Sequence, residues 1–311
     1  MSTNNVTFNE FYAYPGQPVG NIYGYLSDGW YTASDFQSFD RSSHAADGTV
    51  QKVTWTLKDG VTKQLSGLGS PAPGSIKLKD VSGPDGTPDG KIDANDIVVL
   101  GNTLPKAAGG FSINFNIGGD NWGQVDFGAN FIYSIGNQVL NLNKLDWTTM
   151  TNEDTKSSYR NMITPMAHGN RYSMFDSYGT YLPDQLLADP TIAGDFDKMT
   201  AELDRINANA TVRSPFMKAY VVTDECVEDG SFLRLNQLTI GYSLADKWIN
   251  KAYITKCRIY LQASNLFCIT KYSGFDPEVD VYSSKNPMMP GVDYSAYPRT
   301  RGFNVGVNLS F

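Results

Sequence analysis

The sequence predicts an all-β chain whose antiparallel strands form part of a transmembrane β-barrel, with long extracellular loops and a short loop helix. Three observations predict it. Several segments alternate apolar with small or polar residues at period two, which sends successive side chains to opposite faces of a strand. The polar positions hold Gly, Asn, Ser and Gln rather than Lys and Glu, which suits a crowded lumen. Connections between segments alternate short and long, as in outer-membrane barrels with short periplasmic turns and long outer loops.

The first clear strand is 109–118, where Phe111, Ile113, Phe115 and Ile117 alternate with Ser112, Asn114, Asn116 and Gly118. Gly119-Asp120-Asn121 supplies turn chemistry, and 122–135 returns with Val125, Phe127, Ala129, Phe131 and Tyr133 on one phase. The long connection 136–230 contains Met199 to Ala208, where Leu203 and Ile206 at helical spacing predict a short amphipathic helix. In 231–244, Leu238, Ile240, Tyr242 and Leu244 share a phase, while Leu233 and Leu235 fall out of it. A bulge near Asn236 and Gln237 reconciles the two halves. After the short connection 245–255, strand 256–270 places Cys257, Ile259, Leu261 and Ala263 on its apolar face. The long connection 271–301 leads to 302–311, where Phe303, Val305, Val307, Leu309 and Phe311 alternate with Gly302, Asn304, Gly306, Asn308 and Ser310. With Phe311 in the periplasm, both short turns fall on the periplasmic side and both long loops outside. A soluble sandwich also alternates. The competing reading is therefore a secreted, calcium-stabilised β-sandwich that binds carbohydrate.

Composition narrows the function. The net charge of −7 over 311 residues argues against nucleic acid, whose phosphates call for Lys and Arg. Two histidines, His44 and His168, make a His-rich metal centre or a His-based triad hard to build. The three cysteines, Cys226, Cys257 and Cys268, form no C-x-x-C pair. No G-x-S-x-G, Walker A or G-x-G-x-x-G motif occurs, so no catalytic residue is assigned and an enzyme is not expected. No apolar run reaches the roughly 18 residues of a membrane helix, which leaves a barrel open. The first residues, MSTNNVTFNEFYAYPG, read as no signal peptide. Residues 1–108 are expected to hold barrel strands and an extracellular loop with the acidic block 80–96. Residues 109–311 hold the C-terminal barrel strands and the loops 136–230 and 271–301.

The acidic block fits a twelve-residue calcium loop, with ligands Asp85, Thr87, Asp89, the Lys91 carbonyl, Asp93 and Asp96. Gly90 permits the sharp turn and Ile92 anchors the loop. The last position carries Asp where Glu is usual, and no helix precedes the loop. The same residues also read as a solvated Asp/Gly turn capping Ala94 to Leu100. Between Tyr159 and Tyr181, Tyr172, Phe175, Tyr178 and Tyr181, with Trp147 nearby, form either a stacking surface for sugar, peptide or a protein lid, or the loop's own core. Arg234 and Arg258 lie on strands, where they meet an anionic ligand or plug, or pair with lumen carboxylates.

Five segments together resemble the C-terminal part of the SusC/RagA family of TonB-linked outer-membrane transporters. They are Gly16 to Gly29 (GQPVGNIYGYLSDG), the acidic block Asp80 to Asp96, Val227 to Tyr242 (VEDGSFLRLNQLTIGY), Gln262 to Glu278 (QASNLFCITKYSGFDPE) and Tyr297 to Phe311 (YPRTRGFNVGVNLSF). The stretch 136–215 matches least. The resemblance implies a large plugged barrel in the bacterial outer membrane, importing glycans or peptides. It implies a SusD-like surface lipoprotein, an inner-membrane TonB complex, and the barrel-assembly machinery reading the final strand at Phe303, Val305, Val307, Leu309 and Phe311. The N-terminal plug and the remaining barrel strands are missing from this chain, which is expected to be a fragment. An open edge cannot face lipid, so it is not expected to transport alone.

Overall fold

Five long strands form one antiparallel sheet in chain order: β1 (Ala107–Gly119), β2 (Gly123–Ile135), β3 (Phe232–Ser243), β4 (Lys256–Thr270) and β5 (Gly302–Ser310). The structure, a computed structural model, describes residues 16–44, 50–151, 163–217, 219–250, 253–281 and 289–311. These fall into two compact units. One contains the sheet (described residues 16–21, 101–141 and 227–311), and the other gathers 22–100 with 142–226.

The register joins the predicted apolar phases into one face. Phe111 lies opposite Phe131 and Phe115 opposite Phe127, their rings stacked with centroids 4.8 and 4.7 Å apart. Ile240 lies between Phe127 and Leu261, and Leu261 opposite Val305. The expected bulge is present: the register of β3 shifts between Leu235 and Gln237 against both neighbours. The shift puts Leu235 opposite Phe131 and Phe267, whose rings come within 6.5 Å of each other. Such an approach across β3 requires all three side chains on one face. Residues that look out of phase in sequence thus rejoin the apolar side. β4 accommodates the offset next to Asn265, whose φ of 51° is a left-handed conformation that Asn tolerates.

Among the described residues, no layer covers this face. Ile113 is 49% exposed, Ile240 42%, Leu261 44% and Val305 77%. A sandwich would bury such a face against a second sheet. Both short turns lie at one end of the sheet: the Tyr242 hydroxyl donates to the Trp122 carbonyl, and Lys247 reaches Asn121 at 3.4 Å. The long excursions leave from the other end, where Gly136 N–H and the Thr270 hydroxyl donate to the Ser231 hydroxyl and carbonyl. Among the described residues, β1 and β5 each have one unpaired edge. None of the strands before residue 107 joins this sheet. The barrel strands expected within 1–108 are therefore not in this wall among the described residues, and residues 1–15 lie outside them.

The other unit has its own core. A hairpin, Phe36–His44 with Val50–Leu57, contributes Phe36 and Trp55, which pack with Tyr31, Ile192 and Met199. Among the described residues, three helices come from the long connection: α1 (Leu142–Thr148), α2 (Leu182–Ala188) and α3 (Phe196–Ile206). α3 is the expected loop helix. It starts earlier than its apolar spacing suggests because the Asp195 carboxylate caps it, accepting from Lys198 N–H. Met199 and Leu203 are fully buried, while Ile206 is exposed. Asp204 on α3 accepts from Ala33 N–H, Ser34 N–H, the Ser34 hydroxyl and the Tyr172 hydroxyl. Residues far apart in sequence are so bound into one core. No helix among the described residues is long and apolar enough to cross a membrane, which says nothing of strands.

Candidate functional site

The inner face of the sheet carries the polar residues. Asp126 on β2 and Arg258 on β4 sit either side of β3 and pair through two bonds, Nε to Oδ1 at 2.8 Å and NH2 to Oδ2 at 2.5 Å. The strand between them contributes Gly241, opposite both Asp126 and Tyr260. A Cβ at Gly241 would collide with Asp126 Oδ1 and lie 2.6 Å from Arg258 Nε. The ion pair therefore crosses β3 only because residue 241 has no side chain. Ser112 donates to Asn130 nearby at 2.6 Å.

Towards the long-loop end, Arg234 donates to Asp276 at 2.5 Å and ion-pairs with Glu278 at 3.2 Å, and Arg299 reaches Glu278 at 2.8 Å and Asp276 at 3.7 Å. Two guanidinium groups and two carboxylates balance, with Arg234 and Asp276 almost fully buried. The cluster ties β3 to both ends of the connection 271–301. Both strand arginines thus pair with carboxylates of the same unit. Sequence phase puts Asp126, Gly241 and Arg258 on the polar side but does not pair them. The partners of Arg234 come from a loop without periodicity. Cys257 is buried, as its apolar phase suggests, and all three cysteines are free thiols.

The acidic loop is exposed at Asp85, Thr87, Asp89 and Lys91, while Ile92 is buried in a cluster with Leu68, Ile76 and Leu78. Gly90 has a φ of +82°, the left-handed turn expected of it. The carboxylates serve the backbone. Asp96 is fully buried, its Oδ1 accepting from Val81 and Ser82 N–H and its Oδ2 from Asp93 N–H. Burial raises the pKa of Asp96, but these backbone donors outweigh it and hold the carboxyl below the usual carboxylate range. Asp93 accepts from Asn95 N–H and Asp89 from Lys91 N–H, and Asp80 Oδ2 accepts from Gly90 N–H while its buried Oδ1 has no hydrogen-bond partner among the described residues. Among the described residues, no three His, Cys, Asp or Glu side chains gather as a metal centre would.

In the long connection the aromatics divide. Tyr172 is buried, and its phenol is raised well above the ordinary tyrosine value, first by burial and then by the Asp204 charge. Phe175 is 41% exposed with its ring 5.4 Å from Tyr181, and Tyr178 is 93% exposed. Tyr159 lies outside the described residues. Phe175 borders a cavity of about 400 Å³ with Arg171, Asp176 and Phe216. A second cavity, of about 250 Å³, opens beside Arg213.

No family model matches the chain. It is 24% identical over 299 residues to TonB-dependent receptor P3 of Formosa agariphila, covering 95% of this chain and 22% of that protein. A 91-residue stretch is 35% identical to TonB-dependent receptor SusC of Bacteroides thetaiotaomicron, covering 29% of this chain and 8% of that protein. The solved structure of the RagAB peptide importer in its closed-closed state is similar with a TM-score of 0.51 at 18% identity, covering 97% of this chain and 25% of that one. That likeness is one of fold. The chain spans about a quarter of the length of the curated relatives it matches over most of its own length.

Proposed function

We propose, for a chain related over most of its length to TonB-dependent receptors of the SusC/RagA type and placed with them in the bacterial outer membrane, that it supplies wall strands and outer loops to an importer of glycans or peptides. One observation carries the reading. The five-stranded sheet has an uncovered apolar face on one side and paired Asp, Arg, Ser and Asn groups on the other. That division is what a wall between hydrocarbon and an aqueous lumen requires. Further strands and a plug complete the barrel, a TonB complex supplies energy, and a SusD-like lipoprotein caps the outer face. The barrel-assembly machinery reads Phe303, Val305, Val307, Leu309 and Phe311. No catalytic step belongs to this function.

Expression of the whole gene followed by membrane fractionation tests the reading. The protein is expected in the outer membrane, migrating faster on gels before heating than after. Recovery of the 311-residue chain as a folded, detergent-free monomer would overturn it and restore the sandwich that binds carbohydrate. Calcium at Asp85, Thr87, Asp89, Lys91, Asp93 and Asp96 is a separate proposal. It is supported by the twelve-residue spacing, the turn at Gly90 and the unpartnered Asp80 Oδ1. Binding would have to compete with the backbone donors that Asp93 and Asp96 already hold. Calorimetry on the full-length protein, with and without Asp89→Ala and Asp93→Ala together, decides it. Equal heats remove the calcium.

A further inference from the structure

Arg213 is buried, yet it forms no ion pair among the described residues. Its NH1 donates to the Ser214 carbonyl at 3.0 Å and its NH2 to the Thr149 hydroxyl at 2.9 Å, both neutral acceptors. A guanidinium has five N–H donors and keeps its charge in a protein. Burying such a charge without a counter-charge is costly. Burial pulls the Arg213 pKa below the ordinary arginine value, and the charge of Glu225 opposes that pull.

The side chain lines the cavity of about 250 Å³ together with Trp30, Lys144, Thr148, Thr211 and Glu225. Glu225 is the carboxylate in that lining, and among the described residues it forms no ion pair with Arg213. Glu225 spends Oε1 on the Ser27 hydroxyl at 2.8 Å. The neighbouring Cys226 thiol is pushed up to about 11 by burial and stays neutral, so it supplies no counter-charge. Thr211 and Glu225 are exposed, which places the mouth of the cavity at solvent. The volume falls below that of drug-sized sites, which leaves room for a single sugar- or amino-acid-sized group. An indole is suited to pack against the C–H face of a sugar, and the Thr148 and Thr211 hydroxyls, whose protons go to the Lys144 and Asn170 carbonyls, are left to accept from its hydroxyls.

We infer that this cavity receives the carboxylate of an acidic sugar residue, with the Arg213 guanidinium as its counter-charge and Trp30 beneath the ring, a specificity that rests on the importer reading above. Bidentate pairing with a carboxylate is what the planar guanidinium does best.

Calorimetry on the detergent-solubilised full-length protein tests it, with D-glucuronate, D-glucose and N-acetylalanine as probes. Glucuronate is expected to bind, and glucose at least about tenfold more weakly, because it leaves the buried charge unpaired. Arg213→Gln brings glucuronate down to the glucose level, while Arg213→Lys keeps part of the difference. Equal affinity for the two sugars, or no heat from either, overturns the inference. Tighter binding of N-acetylalanine overturns the sugar in favour of a peptide carboxylate. The comparison on the unaltered protein does not depend on how well Arg213→Gln folds. It needs no transport, so its failure is separate from a failure of the importer reading, which fractionation reports.

Discussion

Gly241 is where a single missing side chain decides an interaction. The Asp126–Arg258 pair passes over it, and any Cβ there displaces one partner. Gly241→Ala is expected to destabilise the barrel by about 1–3 kcal/mol, the usual cost of overpacking. Urea unfolding in lipid vesicles checks it, and an unchanged midpoint would remove the steric account. Asp96 provides a second residue-level prediction, this one in pH. Its folded pKa is lowered, so its contribution to stability is present above the ordinary carboxylate value and is lost as pH falls through the folded one. Protection of the Val81, Ser82 and Asp93 amides from exchange, taken relative to an unstructured chain at the same pH, should therefore be high at pH 6 and fall below about pH 4. Unchanged protection across that range would show that the carboxylate does not hold the loop. Neither residue's role was legible from composition. Phase alone puts Asp126, Gly241 and Arg258 on one face, but their meeting depends on register, which three separated strands fix only together.

The bulge in β3 shows what period two can and cannot reveal at the level of an element. Leu233 and Leu235 break phase with Leu238, and a slip of one residue at Asn236 repairs it. The structure has that slip, and it keeps Leu235 between Phe131 and Phe267. Removing Asn236 should turn Leu233 and Leu235 to the lumen and Arg234 towards lipid. An outward Arg this close to the long-loop end costs about 0–1 kcal/mol by itself, and the loss is dominated by breaking the buried Arg234–Asp276 pair. The deletion is expected to abolish the heat-modifiable folded band. Helix α3 was legible for a similar reason, from the helical spacing of Leu203 and Ile206, although the buried pair is Met199 and Leu203 and Ile206 is exposed. Leu203→Ala should destabilise its unit by about 2–5 kcal/mol, read as earlier proteolysis within 163–217. The core it enters was not legible, because Tyr31, Phe36 and Trp55 arrive from more than a hundred residues upstream with no shared period.

For the molecule as a whole, the choice between a membrane wall and a water-soluble sheet reduces to which face tolerates charge. Five strands, their order and their short and long connections follow from alternation, because each obeys a local rule. The grouping of 142–226 with 22–100 follows no such rule and emerges only from long-range contacts such as Asp204 with Ala33 and Ser34. The matched substitutions Ile240→Lys and Thr239→Lys separate the alternatives, since the two residues are neighbours on β3 with opposite directions. In a wall, Lys at 240 meets hydrocarbon at about 2–4 kcal/mol, while Lys at 239 meets water and neighbouring polar groups at little cost. Ile240→Lys should sharply reduce the folded outer-membrane fraction and Thr239→Lys should leave it near normal. On a free sheet in water the preference reverses, because an exposed Ile gains solubility as Lys. A protein that gained soluble yield from Ile240→Lys could not be using that face against lipid, whatever its relatives do.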